Sequence, residues 1–202
     1  MSSKGLRVLV ACEFSATVRD AFRELGFDAW SCDLLPCEGS PVWHYQEDVR
    51  GLLGMRWDLM IAHPPCTHLA VSGARWFNDK KQEQAEAIRF VEMLWGAPIP
   101  RIAIENPVGV LPRLSELGKA TQYIQPWQFG HGETKKTGLW LRNLPPLEPT
   151  NIVEGRESRV WRLPPSKDRW KDRSRTYPGI AAAMAQQWGE FCVSNTNKED
   201  GR

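Results

Sequence analysis

The sequence predicts a single α/β domain built on a Rossmann-like sheet, a mostly parallel sheet that carries helices on both faces. Short apolar runs typical of buried strands alternate with segments whose apolar residues recur at helical spacing. Several of these runs end in an acidic residue or in prolines, as strands do where a loop begins. The 202 residues match one compact domain, which can bury most of the surface of its unfolded chain.

The individual elements follow from the local pattern. Residues 6–12 form an apolar, partly β-branched run that predicts the first strand. Phe14, Val18 and Phe22 then recur at helical spacing and predict a helix that ends at Gly26. Further strands are predicted at residues 28–33, 57–64, 101–107, 122–129 and 137–141, further helices at 80–94 and 180–191, a loop at 35–45 and a tight turn at 130–132.

Composition and charge exclude several classes of protein. A formal net charge of +2 and a hydrophobic content of 42% exclude a disordered chain. No apolar stretch approaches the ~18 residues of a membrane span. The first residues contain no apolar signal region, so we expect a cytoplasmic protein without membrane partners. The five cysteines form no Cys-x-x-Cys pair, so we expect reduced thiols and predict no metal site.

The candidate site follows from where the strands end, because ligands of such sheets bind outside the carboxyl ends of the strands. Chemically useful residues stand at four strand ends: 12–14, Asp33, 64–66 and 105–107. Pro64 and Pro65 stiffen the loop that presents Cys66. A thiol on a rigid loop suits a nucleophile, provided that its surroundings lower its pKa. An ordinary turn cysteine is the alternative.

The strand over residues 101–107 ends in an acid that is also a candidate catalytic group. Burial of Glu105 at the end of a strand would raise the pKa of its carboxyl, which suits a general acid near neutral pH. The alternative is a glutamate that caps a neighbouring loop. A Pro-Pro-Cys segment and a Glu-Asn-Pro segment on consecutive strands are together more specific than either motif alone.

This combination resembles the S-adenosylmethionine-dependent cytosine C5-methyltransferases, of which the chain is identified as a small, phage-like member. In that family a Pro-Cys loop carries the nucleophile and a Glu-Asn-Val segment on the next strand carries an acid. Residues 64–66 match the first segment and residues 105–107 the second, with Pro107 in place of the valine. Residues 9–26 are similar to the cofactor loop but lack its Gly-x-Gly turn. Residues 133–137 stand where the family has Gln-x-Arg-x-Arg.

The resemblance implies a role for each matched residue. Cys66 would add to C6 of a cytosine, Glu105 would protonate or hydrogen-bond N3, and Lys135 would hydrogen-bond O2. S-adenosylmethionine would supply the methyl group. Its implied binding residues are Cys12, Glu13, Phe14, Ser15, Ala16, Asp33, Asp48 and Pro64. The implied substrate-binding residues are Pro65, Ser72, Arg75, Asn106, His131, Lys136, Arg173 and Arg175.

The predicted organisation assigns residues 1–141 to the catalytic core, 175–193 to a closing helix and 194–202 to a disordered tail. Residues 142–174 form a short insert rich in Pro, Arg and Trp, where DNA-acting relatives carry a long target-recognition region. Eight basic residues stand against three acidic ones between residues 155 and 175. This stretch suits phosphate binding with a stacked base, or else forms a solvated basic loop.

Three functions remain open at this point. The first is C5 methylation of cytosine within DNA. The second is C5 methylation of a free pyrimidine deoxynucleotide such as dCMP, which the short insert and the weak net charge favour. The third is a non-catalytic relative that binds a nucleotide or the cofactor, although both Cys66 and Glu105 are present. The expected partner is accordingly DNA or a free deoxycytidine nucleotide, and the oligomeric state stays open.

Overall fold

The computed structural model describes residues 5–70, 80–162, 164, 166–167 and 169–199. The predicted site residues Ser72 and Arg75 lie outside the described residues. The strands are β1 (Arg7–Ala11), β2 (Asp28–Asp33), β3 (His44–Gln46), β4 (Leu59–Ala62), β5 (Arg101–Pro107), β6 (Gln122–Ile124) and β7 (Thr137–Arg142). The helices are α1 (Thr17–Glu24), α2 (Lys81–Trp95), α3 (Leu111–Leu114), α4 (Arg159–Arg162), α5 (Arg169–Ser174), α6 (Pro178–Ala183) and α7 (Gly189–Glu199), and a π-helical turn at Met184–Trp188 joins the last two.

The strands pair into one sheet with the order β3-β2-β1-β4-β5-β7-β6. Strands β1 to β5 are parallel, whereas β7 runs antiparallel to both β5 and β6. The first five strands follow the order of doubly wound nucleotide-binding sheets. This arrangement confirms the predicted fold class, a Rossmann-like α/β sheet in a single domain.

Helices cover both faces of the sheet because successive strand residues point to opposite sides. Val8 and Val10 of β1 pack in one core with residues of α1 and α6. Leu9 of β1 and Met60 of β4 pack in a second core with residues of α2. The chain therefore crosses to one face after β1 and to the other after β4. This reversal opens a crevice between the carboxyl ends of β1 and β4, where such sheets bind ligands.

Two predicted segments differ in the structure. Residues 44 and 45, predicted as the end of a loop, form with residue 46 the edge strand β3 by pairing with β2. A three-residue strand is too short to display a recognisable alternation. Residues 126–128 form a helical turn instead of continuing β6, because Pro126 has no N–H to donate to a sheet.

The C-terminal helix is longer than predicted. Helix α7 continues to Glu199, so residues 194–199, predicted as part of a disordered tail, are helical. The buried Cys192 anchors its first turns in the core. Each further helical residue then adds a hydrogen bond without a new nucleation cost. No helix in the described part of the chain is long and apolar enough to cross a membrane.

The insert at residues 142–174 packs against the core instead of standing apart from it. Asn151 forms a parallel bridge with Phe129, and the N–H of Gly130 donates to the Asn151 carbonyl at 2.7 Å. Further along the insert, the ring centroid of Trp170 lies 5.8 Å from that of Phe14. The end of the insert therefore covers the loop that follows β1.

Candidate active site

A cavity of about 110 Å³ opens at the carboxyl ends of β1, β4 and β5. Five segments far apart in sequence form its wall: the loop after β1, the Pro-Pro-Cys loop after β4, the end of β5, the residue two positions before β7, and the end of the insert. The lining residues are Cys12, Glu13, Phe14, Ser15, His63, Pro64, Pro65, Cys66, Glu105, Asn106, Pro107, Lys135, Arg173, Ser174, Arg175 and Thr176. The cavity thus brings together the predicted nucleophile, acid and lysine.

The loop that carries Cys66 is held from both ends. The side-chain amide of Asn106 donates to the carbonyl of Pro64 at 3.0 Å, and Asn106 is only 1% exposed. On the other side of the thiol, the N–H groups of Leu69 and Ala70 donate to the Cys66 carbonyl at 3.0 and 2.9 Å. The side-chain amide of Asn106, predicted to bind substrate, therefore holds the Cys66 loop in position.

Glu105 forms a buried ion pair that the sequence analysis did not foresee. Nδ1 of His63 lies 2.6 Å from Oε2 of Glu105, and the two side chains are only 10% and 12% exposed. His63 directly follows β4 and Glu105 lies in β5 at the matching place, since Ala62 pairs with Ile104 in the parallel register. The adjacent positions explain the contact, yet a strand register cannot be read from sequence.

The ion pair reverses the predicted charge state of the acid. Burial by itself raises the pKa of Glu105, but the hydrogen bond and charge of His63, together with Lys135, outweigh it and hold that pKa below its ordinary value. Burial by itself lowers the pKa of His63, yet the bond and charge of Glu105 and the charge of Glu13 hold it above its ordinary value. The prediction that burial raises the pKa of Glu105 is therefore wrong, and between pH 4.5 and 6.5 the pair holds its proton on His63.

The thiol of Cys66 is protonated in the same state of the site. Burial raises the pKa of this thiol, and the negative charge of Glu105 raises it further. The positive charges of Lys135 and Arg173 act in the opposite direction but do not outweigh burial. A ligand that neutralises or displaces the Glu105 charge would therefore favour the thiolate.

Lys135 reaches the cavity from the strand next to β5. The ammonium of Lys135 donates to the carbonyl of Arg175 at 3.1 Å. The backbone N–H of Lys135 donates to the side-chain oxygen of Gln125 at 2.9 Å. An ammonium has three donors, so this contact leaves donors for a ligand in the cavity. The lysine also ties the end of the insert to the core.

The loop after β1 adopts the shape of a glycine-rich turn without glycines. Cys12 and Ala16 have φ values of 59° and 64°, in the left-handed region that glycine adopts most readily. Glu13, predicted to contact the cofactor, instead caps α1, because its carboxylate accepts from the N–H groups of Val18 and Arg19 at 2.7 and 3.2 Å. Phe14 and Ser15 are left to face the cavity.

The two predicted cofactor acids beyond β1 lie beside the cavity and do not line it. Asp33 ends β2 and accepts from the N–H of Leu35 at 2.9 Å, and burial raises the pKa of its carboxyl. Asp48 is exposed and caps the turn at 49–51 by accepting from the N–H of Arg50. Burial raises the pKa of the Cys12 thiol, and the charges of both aspartates raise it further, which places them near that residue.

Two predicted substrate-binding residues lie elsewhere. Nε2 of His131 accepts from the N–H of Gly179 at 3.0 Å, so this ring fastens the start of α6. The ammonium of Lys136 lies 4.7 Å from the ring centroid of Tyr123, outside the cavity. Both residues stand between the turn at 126–128 and β7, outside any strand, so no alternation of side chains indicates which of them face the site.

Arg173, at the end of the insert, and Arg175, directly after it, close one side of the cavity. Arg175 is bidentate to Glu38, with nitrogen–oxygen distances of 3.1 and 2.6 Å, and it also contacts Asp172 at 2.5 Å. Its guanidinium is thus engaged in holding the insert against the core. The basic stretch serves here as a wall of the site as well as a positive surface.

The segment that follows Cys66 packs so closely against Gly109 that no side chain fits at this position. A methyl group added at Gly109 would lie 2.0 Å from the carbonyl oxygen of Leu69, whose position is fixed by the N–H of Val110 at 2.9 Å. We expect Gly109→Ala to lower the free energy of unfolding by about 2 kcal/mol, since backbone atoms must move to relieve the overlap. Urea unfolding measures this change.

Gly54→Ala is the matched control for this substitution. Gly54 is exposed, and nothing lies within 4 Å of the position that a methyl group would take there. Its unfolding free energy should stay within about 0.5 kcal/mol of the wild-type value. Equal midpoints for the two variants would contradict the tight packing at Gly109.

The similarity of this chain to known proteins is found among solved structures. No protein-family model matches the chain, and no curated protein sequence matches it. Its structure is similar to a solved structure from E. coli titled "putative DNA modification methyltransferase encoded within prophage", with a TM-score of 0.42 and 15% sequence identity. The match covers 68% of this chain and 46% of the other, so the chain spans about half the length of that protein. Among the described residues, no group of three or more His, Cys, Asp or Glu could hold a metal ion.

Proposed function

We propose that this protein transfers a methyl group from S-adenosylmethionine to C5 of cytosine in DNA. The observation that carries the proposal is the position of Cys66 and Glu105 in one cavity, at the ends of the adjacent parallel strands β4 and β5. These are the two residue types that the resemblance requires for attack on C6 and for contact with N3. The loop after β1, which resembles a cofactor loop, borders the same cavity.

The residues around this loop fit the proposed cofactor. The left-handed backbone at Cys12 and Ala16 allows a close approach to the loop, and Phe14 and Ser15 face the cavity. Asp33 stands at the end of β2, where such folds place an acid that binds a ribose hydroxyl. When bound there, S-adenosylmethionine would supply an electrophilic methyl group.

The protein's own groups would then divide the work. The Cys66 thiol loses its proton to solvent and its sulfur adds to C6, which moves the ring π electrons toward C5 and N3. The Glu105 carboxyl delivers a proton to N3 and neutralises the charge that develops there. Lys135 donates to O2 of the ring. After methylation, loss of the C5 proton to solvent re-forms the ring double bond and releases the Cys66 thiolate, and N3 returns its proton to Glu105.

A free nucleotide such as dCMP is the second candidate substrate. The insert packs on the core and closes the cavity through Arg173 and Arg175, and the side chain of Arg175 is held by Glu38. This arrangement suits a short ligand with one phosphate as well as a single base turned out of a DNA strand. The catalytic groups would act identically on either substrate.

The experiment that tests the proposal offers labelled S-adenosylmethionine with duplex DNA, single-stranded DNA and each deoxynucleotide separately. Label in the cytosine of DNA is the expected result, and binding should then weaken steeply with added salt as counterions are released. Label only in a free nucleotide would replace DNA by the second substrate. No label with any substrate would overturn methyl transfer and leave a binding protein.

A further inference from the structure

The most unusual feature of the cavity is the ion pair that a largely buried histidine forms with Glu105. Nδ1 of His63 meets Glu105 of β5 at 2.6 Å, and the charge of Glu13, on the loop after β1, also acts on the imidazole. Lys135, ahead of β7, is the cation that opposes them. The hydrogen bond and charge of Glu105, helped by the charge of Glu13, outweigh the burial of the ring and the charge of Lys135, and so raise the pKa of His63.

The hydrogen bonding of the ring fixes the role of one of its two nitrogens. Nδ1 must be a donor, because its partner is a carboxylate oxygen. Nε2 is buried and has no hydrogen-bond partner among the described residues. Glu13 does not fill this gap, because its own oxygens accept from the start of α1. Nothing in this arrangement ties His63 to the thiol of Cys66, so its chemistry is directed at Glu105.

We propose that His63 is the positioning residue that stores the proton for Glu105 and lends it during the reaction. The inference rests on the proposed function and concerns the same site. It makes His63 the source of the proton that Glu105 delivers, and it assigns the ring a task beyond holding the carboxylate in place.

The proton balance of this step closes within the pair. Before substrate binds, the pair holds one proton as imidazolium and carboxylate. When a base occupies the cavity, the Nδ1 proton moves to the Glu105 carboxyl and from there to N3, which leaves a neutral imidazole and a carboxylate. After the sulfur leaves C6, N3 returns the proton along the same path. No proton is consumed or released by His63 over a turnover.

His63→Asn separates proton storage from positioning. The asparagine amide can still donate to Glu105 but cannot carry a proton to it. Glu105 must then hold the proton itself. Its ordinary pKa lies about two units below that of histidine, and the charge of Lys135 still opposes the rise that burial causes. We expect the alkaline limb of the rate profile to move to lower pH by at least about one unit. At pH 8 the kcat should fall at least ~10-fold, with KM within about threefold.

The control is His131→Asn, which alters a histidine that fastens α6 outside the cavity. Its alkaline limb should coincide with that of the wild type. If the wild type methylates a substrate and His63→Asn leaves the alkaline limb of the rate profile in place, this inference alone is overturned. Absence of methyl transfer by the wild type on every substrate would overturn the proposed function and the inference with it.

A second experiment measures the pKa of His63 directly and does not depend on methyl transfer. Nuclear magnetic resonance of labelled histidine should show that the pKa of His63 in the wild type lies above 6.5, the ordinary value for a histidine. In Glu105→Gln the pKa of His63 should fall by at least about one unit, because burial then acts with one carboxylate fewer to oppose it. Equal pKa values in the two proteins would show that the pair stores no proton and would overturn the inference.

Discussion

Replacement of Cys66 with serine is expected to lower the rate of methyl transfer at least ~10³-fold while the protein stays folded. A hydroxyl is a far weaker acid than a thiol and a weaker nucleophile, so attack on C6 would nearly cease. The side chain is only partly buried, and its loop is held by backbone contacts from Leu69 and Ala70. Those contacts do not involve the sulfur, so we expect the unfolding midpoint to change little.

The measurement is transfer of labelled methyl groups under single-turnover conditions. The enzyme is in excess over the substrate, and the concentrations of enzyme and cofactor exceed the dissociation constants. Cys37→Ser is the matched control, since Cys37 lies outside the cavity and its sulfur contacts only Arg19 in the described structure. A serine there can still accept that hydrogen bond. A Cys66→Ser rate within tenfold of the wild type would exclude a covalent mechanism through this residue.

Glu105→Gln is expected to lower methyl transfer by roughly 10²–10⁴-fold, because an amide cannot deliver a proton to N3. The same change removes one partner of the buried pair with His63. Removal of one partner of such a pair costs up to about 3 kcal/mol of stability. Glutamine has nearly the same shape, so packing around Asn106 and the Cys66 loop should persist.

The stability loss in Glu105→Gln should depend on pH in a defined way. The pKa of His63 is raised in the fold, so its contribution is complete below the ordinary value of 6.5 and is lost as pH rises through the raised value. The pKa of Glu105 is lowered, so its contribution is complete above 4.5 and is lost as pH falls through the lowered value. The wild type should therefore exceed the variant most between pH 4.5 and 6.5.

Urea unfolding of the two proteins at pH 5.5 and at pH 9 tests this expectation. Subtraction of the two proteins removes the other titrating groups, which are common to both. If the wild type and Glu105→Gln differ in unfolding free energy by the same amount at both pH values, His63 and Glu105 are not ionised together in the fold. Gly54→Ala, which changes no charge, should give the same small difference at both values.

Local patterns were sufficient for much of the fold. The buried strands β1, β2, β4 and β5 appear as apolar runs, and α1 and α2 show helical spacing, because each buries one face or both faces in the core. Since parallel strands share one edge, their ends could also be predicted to meet there. Residues that combine a strand end with a reactive side chain, such as Cys66 and Glu105, were found in this way.

The short elements and the side-chain directions could not be predicted in the same manner. The edge strand β3 exists only through its pairing with β2. Asn106, His131 and Lys136 stand close to the site in sequence, yet their contacts are with Pro64, Gly179 and Tyr123. A side chain that forms such contacts is indistinguishable, within the sequence, from one that faces a ligand.

The sequence by itself determined the class of fold, the edge of the sheet that carries the site, and the thiol and the acid that stand there. Only the tertiary structure decided the charge on that acid, because a pKa depends on the groups within a few ångströms in space. The register that sets Ala62 beside Ile104 also brings His63 to Glu105. That contact moves the proton from the carboxyl to the imidazole, since a carboxylate and an imidazolium stabilise each other more than burial penalises them.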